Sequence, residues 1–151
     1  MPLRQAYVFE AKLVGYPRIS RRLAVAGDQT LEVVHTMLRL AFGWDDDHLH
    51  AFWLDGKFWG NPAGKYTATL EPEGKRTSDA RLERLDLEPG QKIAYVFDLG
   101  DEWRVDLRVA EIEPAGDDPY PQLLEGRGVA PPQKGHFGEE DEPAAGADDK
   151  T

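Results

Sequence analysis

RRLAVAGDQTLEVVHTMLRLAFGW, residues 21–44, changes its hydrophobic period partway along. At the start, Arg21, Leu23 and Val25 alternate with their neighbours, the two-residue repeat of a strand with one face toward a core. From Leu31 the apolar residues recur at three- and four-residue steps: Leu31, Val34, Leu38, Ala41 and Phe42 make one stripe of a helix. Asp28 or Thr30 is placed to cap it, because either side-chain oxygen can accept from a first-turn N–H that has no helical partner. Gly43 is placed to end it, since glycine alone enters the left-handed C′ conformation without a Cβ clash. A strand that runs into a helix calls for both element types, and the flanks say how they combine.

Upstream, AYVFEAKLV at 6–14 alternates, with Tyr7, Phe9, Ala11 and Leu13 on one side. Gly15-Tyr16-Pro17 turns the chain, so this strand and the one over Ile19–Val25 form a hairpin. Downstream, His48–Leu54 and Lys57–Gly60 flank Asp55-Gly56, a pair suited to a tight primed turn. In that register Trp53 faces Phe58 and Phe52 faces Trp59, on opposite sides of the ribbon. Residues 61–76 read as a loop, and Ser78 or Asp79 caps a short helix through Leu85. Lys92–Asp98 and Glu102–Ile112 make a last hairpin, with Trp103, Val105, Leu107 and Val109 on one face. The expected order is β-β-α-β-β-α-β-β: a single α+β domain with helices packed on an antiparallel or mixed sheet. The core spans 1–113, residues 114–138 pack on or near it, and EEDEPAAGADDKT at 139–151 has no large apolar side chain to bury and is expected to be disordered.

Composition bounds the function classes. The 151 residues include no cysteine, which excludes disulfides, thiolate metal sites and thiol nucleophiles. The longest apolar runs are too short to span a bilayer, and the first twenty residues carry charges with no apolar run of a secretory signal, so a cytoplasmic protein without membrane contact is expected. Net charge is −10, with residues 1–113 at −4 and 114–151 at −6. Such a balance suits solubility and matches nucleic acid poorly, because nucleic-acid binding rests on clustered Lys and Arg.

Several segments together resemble a known family. PRISRRLAV at 17–25, DQTLEVVHTMLRLAFGWDDDHLHAF at 28–52, YVFDLGDEWRVDLRV at 95–109 and PYPQLLEG at 119–126 are similar, in order, to the plasmid pRiA4b ORF-3-like family. The resemblance implies a compact α+β fold, frequent occurrence on plasmids and mobile elements, and no established activity. Some members carry a resolvase-like label, but a serine recombinase needs an activated Ser nucleophile. The serines here are Ser20 and Ser78, the second placed as a helix cap. This chain departs from the pattern at Ser20, where the family usually has Trp. It departs again near Leu123 and at 130–135, where the family commonly has cysteines, so thiol chemistry by that motif is absent here.

Three constellations carry candidate chemistry. His48 and His50, two apart on an expected strand, project from one face with Cβ atoms roughly 7 Å apart. With Asp45 or Asp47 as a third ligand and His35 converging from the helix, they could hold Zn²⁺ or Fe²⁺; read structurally, they are partly buried and hydrogen-bonded. Arg21 falls on the apolar side of its strand, where a buried guanidinium needs a carboxylate; Asp98 or Asp101 would supply an ion pair. The aromatic hairpin Phe52, Trp53, Phe58 and Trp59, with Tyr120 and Leu124 of the later segment, is core on one face and a binding surface or self-covered on the other. The leading expectation is a binding module with a protein or small-ligand partner and no cofactor, an accessory protein of mobile genetic elements. The alternative is a hydrolase or oxygenase that uses a divalent transition metal on the His48/His50 pair.

Overall fold

In the computed structural model, residues 4–44, 48–68 and 75–133 are described. β1 (Gln5–Leu13) and β2 (Ser20–Ala26) pair antiparallel, as their alternation requires. Helix α1 (Leu31–Phe42) follows, burying Leu31, Val34, His35, Leu38 and Phe42. Gly43 ends it with φ 77°, and the backbone N–H groups there close on the carbonyls of Arg39 and Leu40. Thr30 occupies the N-cap position, yet its side chain makes no capping bond. The Leu31 N–H instead donates to the Ala80 carbonyl at 2.9 Å.

Six more strands complete the sheet: β3 (His50–Trp53), β4 (Lys65–Thr67), β5 (Lys75–Arg76), β6 (Lys92–Phe97), β7 (Trp103–Pro114) and β8 (Gln122–Arg127). The spatial order is β5-β4-β3-β6-β7-β1-β2-β8, with β4 and β5 parallel and the other pairs antiparallel. The fold is therefore α+β, mostly β, with a mixed eight-stranded sheet.

Two expected elements are replaced. Lys57–Gly60 is not the partner strand of β3; β3 lies between β4 and β6, pairing Phe52 with Tyr66 and Tyr95. The primed turn expected at Asp55-Gly56 is replaced by a turn one residue earlier, in which the Gly56 N–H donates to the Trp53 carbonyl at 3.1 Å. Asp55 then pulls the chain into a closed loop: its carboxylate accepts from the N–H groups of Lys57 at 3.1 Å and Asn61 at 2.9 Å. Those donors are no longer available to a ladder. The second helix gives way to two single 3₁₀ turns, Thr77–Asp79 and Leu82–Arg84. Backbone groups that a helix would use internally serve the start of α1 instead: the Leu82 N–H donates to Gln29 and the Glu83 N–H to Gly27, both at 2.9 Å. Among the described residues α1 is thus the one α-helix.

The front of the sheet carries the main core. Phe9, Leu23, Phe52, Tyr95, Phe97, Trp103, Val105 and Leu107 meet the α1 stripe there. Trp44, just past the helix, stacks flat on Phe97 with centroids 4.6 Å apart. The back carries a smaller cluster under the 55–61 loop, Ala51, Trp53, Ala94 and Val96, against Phe58 and Leu99. Further along, the back is charged, with ion pairs Arg108–Glu10 at 2.8 Å and Arg22–Glu111 at 3.2 Å. Such half-exposed pairs each contribute about 0–1 kcal/mol; the front burial, at roughly 1.5–3 kcal/mol per large side chain, decides the fold.

Leu38 is fully buried and Leu40 is 62% exposed, on opposite sides of α1. Leu38→Ala is expected to lower stability by about 2–5 kcal/mol in urea unfolding, and Leu40→Ala by about 0.5 kcal/mol or less. Equal losses in the two variants would mean that the helix presents another face.

Candidate functional site

The histidines do not converge as a ligand set. His50 and His35 are buried and stacked, with ring centroids 3.6 Å apart and planes 10° from parallel. Imidazole lone pairs lie in the ring plane, so two parallel rings do not aim at one ion. Their nitrogens engage the core: His35 Nδ1 shares a 2.8 Å hydrogen bond with the Tyr95 hydroxyl, and His50 Nε2 shares one of 3.1 Å with Thr77 Oγ1. His48 precedes β3, is exposed, and lies 3.9 Å from the Asp98 carboxylate. Asp45 and Asp47 lie outside the described residues. No group of three or more His, Asp or Glu side chains able to hold a metal occurs among the described residues.

Arg21 does face the apolar side of β2, but Asp98 and Asp101 are not its partners. Asp98 instead closes the β6–β7 turn, Oδ1 accepting from the Asp101 N–H at 3.2 Å. The Arg21 guanidinium donates to four carbonyls: Ala41 at 2.8 Å, Ser20 at 2.7 Å, Arg127 at 2.7 Å and Gly128 at 3.1 Å. It also lies over the Phe42 ring, 5.2 Å from the centroid. Carbonyls replace the carboxylate because Ala41 sits in the last turn of α1, where unpaired carbonyl groups concentrate partial negative charge. Burial lowers the Arg21 pKa from its ordinary value. The socket needs room: a Cβ on Gly126 would stand 3.1 Å from Arg21 Cδ.

The aromatic residues separate into core and surface. Phe52 points into the front core and Trp53 into the back cluster, both buried. Phe58 is half-buried over that cluster, while Trp59 is 50% exposed. Trp59 has φ 54°, a left-handed conformation that costs a residue with a Cβ about 1–2 kcal/mol. The 55–61 loop holds it there. Backbone N–H bonds, from Asn61 first and then Lys57, keep the Asp55 carboxyl below its ordinary range. A Cβ on Gly60 would meet the Asp55 carboxylate oxygens at 2.6 Å, so the loop closes only with glycine there.

Around Trp59 the structure builds a platform. Its ring lies 5.0 Å from that of Trp53, and the Arg104 guanidinium lies 5.2 Å from the centroids of both Phe58 and Trp59. Arg104 is steadied by Glu102 at 2.9 Å, and Lys65 Nζ lies 5.7 Å above Trp53. Tyr120 and Leu124 are not part of it. Leu124 is exposed on β8, the opposite edge of the sheet, and Tyr120 precedes that strand with its hydroxyl donating to the Ala115 carbonyl at 3.0 Å.

The family model of the plasmid pRiA4b ORF-3-like protein matches residues 5–139. The chain belongs to that family. Uncharacterized protein y4hQ of Sinorhizobium fredii (strain NBRC 101917 / NGR234) is 28% identical over 121 residues, which cover 78% of this chain and 59% of that protein. The chain therefore spans under two thirds of this curated relative's length. A crystal structure of MM3350, a protein of unknown function from Methanosarcina mazei Go1, superposes with a TM-score of 0.74 at 25% identity. It covers 89% of this chain and 76% of that one. Membership thus comes with a shared fold and no named activity. Within the family segment YVFDLGDEW at 95–103, Tyr95 holds His35, Asp98 shapes a turn and Trp103 fills the core.

Two contributors escaped the sequence reading: Arg104 as an aromatic clamp and Gly126 as space for Arg21. Gly126 had a readable signal, since glycine inside a strand marks close approach of another group. Arg104 had none, because its partners come from a loop forty-odd residues away.

Arg21→Lys is expected to lose about 1.5–3 kcal/mol, since one ammonium cannot reproduce a fork that reaches four carbonyls. Arg22→Lys, at an exposed ion pair, should lose under about 1 kcal/mol. Thermal and urea unfolding of both variants check this, and a fully tolerated Arg21→Lys would rule out the socket as a structural anchor.

Proposed function

We propose that this chain is an interaction module and that the Trp59 platform is its docking surface. The observation that supports this most is Trp59 itself: a large aromatic side chain, half in solvent, on a backbone conformation that disfavours it. Intramolecular burial does not account for that arrangement, whereas exposed aromatics flanked by cations are the usual anchors of protein interfaces. Arg104 and Lys65 beside the rings favour a partner segment that inserts an apolar side chain and places carboxylates at the rim. The family's description as plasmid-derived supports a setting among mobile genetic elements, where such a module would act as an accessory protein. No helix among the described residues is long and apolar enough to cross a membrane.

Selection of a displayed random-peptide library on the full chain tests the reading. Enriched peptides should carry an apolar anchor next to acidic residues and bind Trp59→Gly about thirtyfold more weakly, the loss of roughly 2 kcal/mol expected at an interface anchor. Glycine suits the φ of position 59, so the variant should remain folded. No enrichment, or equal binding to Trp59→Gly, would overturn the proposal.

A further inference from the structure

At the other end of the back face lies a second feature with its own chemistry. A cavity of about 470 Å³ is lined by Lys12, Arg18, Ser20, Arg22 and Arg127, with Glu10 and Glu125 along one side and Pro17 and Arg21 completing the wall. This is the size range of sites for small organic ligands. Its sign opposes that of the protein: leaving aside Arg21, whose guanidinium is turned to the front, four cations face two carboxylates in a chain of net charge −10.

The sheet register explains the arrangement. Lys12 of β1, Ser20 of β2 and Arg127 of β8 pair directly across three neighbouring strands, and so share one row of the back face. The adjacent row runs Glu10, Arg22, Glu125. In this second row charge is internally matched, as Glu10 binds Arg108 at 2.8 Å and Arg22 binds Glu111 at 3.2 Å. The first row is cation, hydroxyl, cation. Asp106 of β7 stands across from Lys12 in register, and Arg127 lies 3.6 Å from Glu125 in a highly exposed pair. Among the described residues, neither Lys12 nor Arg18 has a carboxylate within salt-bridge distance. Ser20 at the centre is short, which leaves the depression, and its hydroxyl is a neutral donor between two charges.

The floor is also held rigid from the far side. Arg21, pointing to the front, donates from one nitrogen to both the Ser20 and the Arg127 carbonyls at 2.7 Å. That fixes the very cross-strand pair on which the row is built, so a ligand would meet a preorganised surface.

We propose that this groove binds a small phosphate-bearing anion, with Lys12, Arg18 and Arg127 neutralising the phosphate and the Ser20 hydroxyl donating to it. The site is separate from the Trp59 platform and does not depend on the function assigned there. Cationic side chains around a hydroxyl donor form short charge-assisted bonds to phosphate oxygens, and the cavity leaves space for the rest of the molecule.

Calorimetric titration of the full chain with inorganic pyrophosphate at low salt tests the site. Saturable one-to-one binding is expected. The Lys12→Ala/Arg18→Ala double variant should bind about tenfold more weakly, each exposed charge contact being worth less than a factor of ten alone. Arg76→Ala/Arg81→Ala removes the same charge elsewhere and should bind as the native chain does. Ser20→Asp sets a carboxylate in the middle of the row and should abolish binding, which supplies an independent variant should the double one misfold. Absence of saturable binding to the native chain, or equal weakening in the control pair, would overturn the proposal.

Discussion

Among the described residues, one twelve-residue helix has to cover the front of an eight-stranded sheet. A helix of that length is roughly 18 Å long, while eight strands side by side span roughly 34 Å. The mismatch organises the molecule. Where α1 reaches, the sheet presents Phe9, Leu23, Tyr95, Phe97 and Val105, and a dry core forms. Beyond its reach, other devices must shield the sheet or make it tolerant of water.

Those devices differ by location. Below the start of α1, two 3₁₀ turns take the place of a second helix, because their backbone groups are committed to Gly27, Gln29 and Leu31. At the end of α1, Arg21 ties the last-turn carbonyl of Ala41 to β8, so one side chain joins helix, second strand and edge strand. On the back, the Asp55-clamped loop lays Phe58 over Trp53 and Val96. The remainder of the back is polar, and there the cross-strand rows alternate between matched charge and the cationic row around Ser20. Both candidate binding surfaces thus occupy the face that the helix leaves alone.

The buried histidine pair shows how a promising motif dissolves on folding. His48 and His50 are two residues apart in sequence, but β3 begins only at His50, leaving His48 in the solvent. His50 turns inward and stacks on His35, and a hydroxyl serves each ring in place of a metal-binding geometry. Spacing alone records which residues could share a face; it does not record where a strand starts.

What the sequence by itself determined was local: the two long hairpins, the helix over residues 31–42 and its stop at Gly43, each written in a periodicity or a glycine whose effect is complete within a few residues. It also carried the family's segments, and hence the α+β class. Only the tertiary structure decided that 57–60 would be a clamp and not a strand, that Arg21 would find carbonyls and not Asp98, and that Lys12, Ser20 and Arg127 would line up across three strands. The physical reason is the same in each case. A donor or charge settles on whichever partner folding brings within about 3 Å, and partners a hundred residues apart leave no periodicity to read.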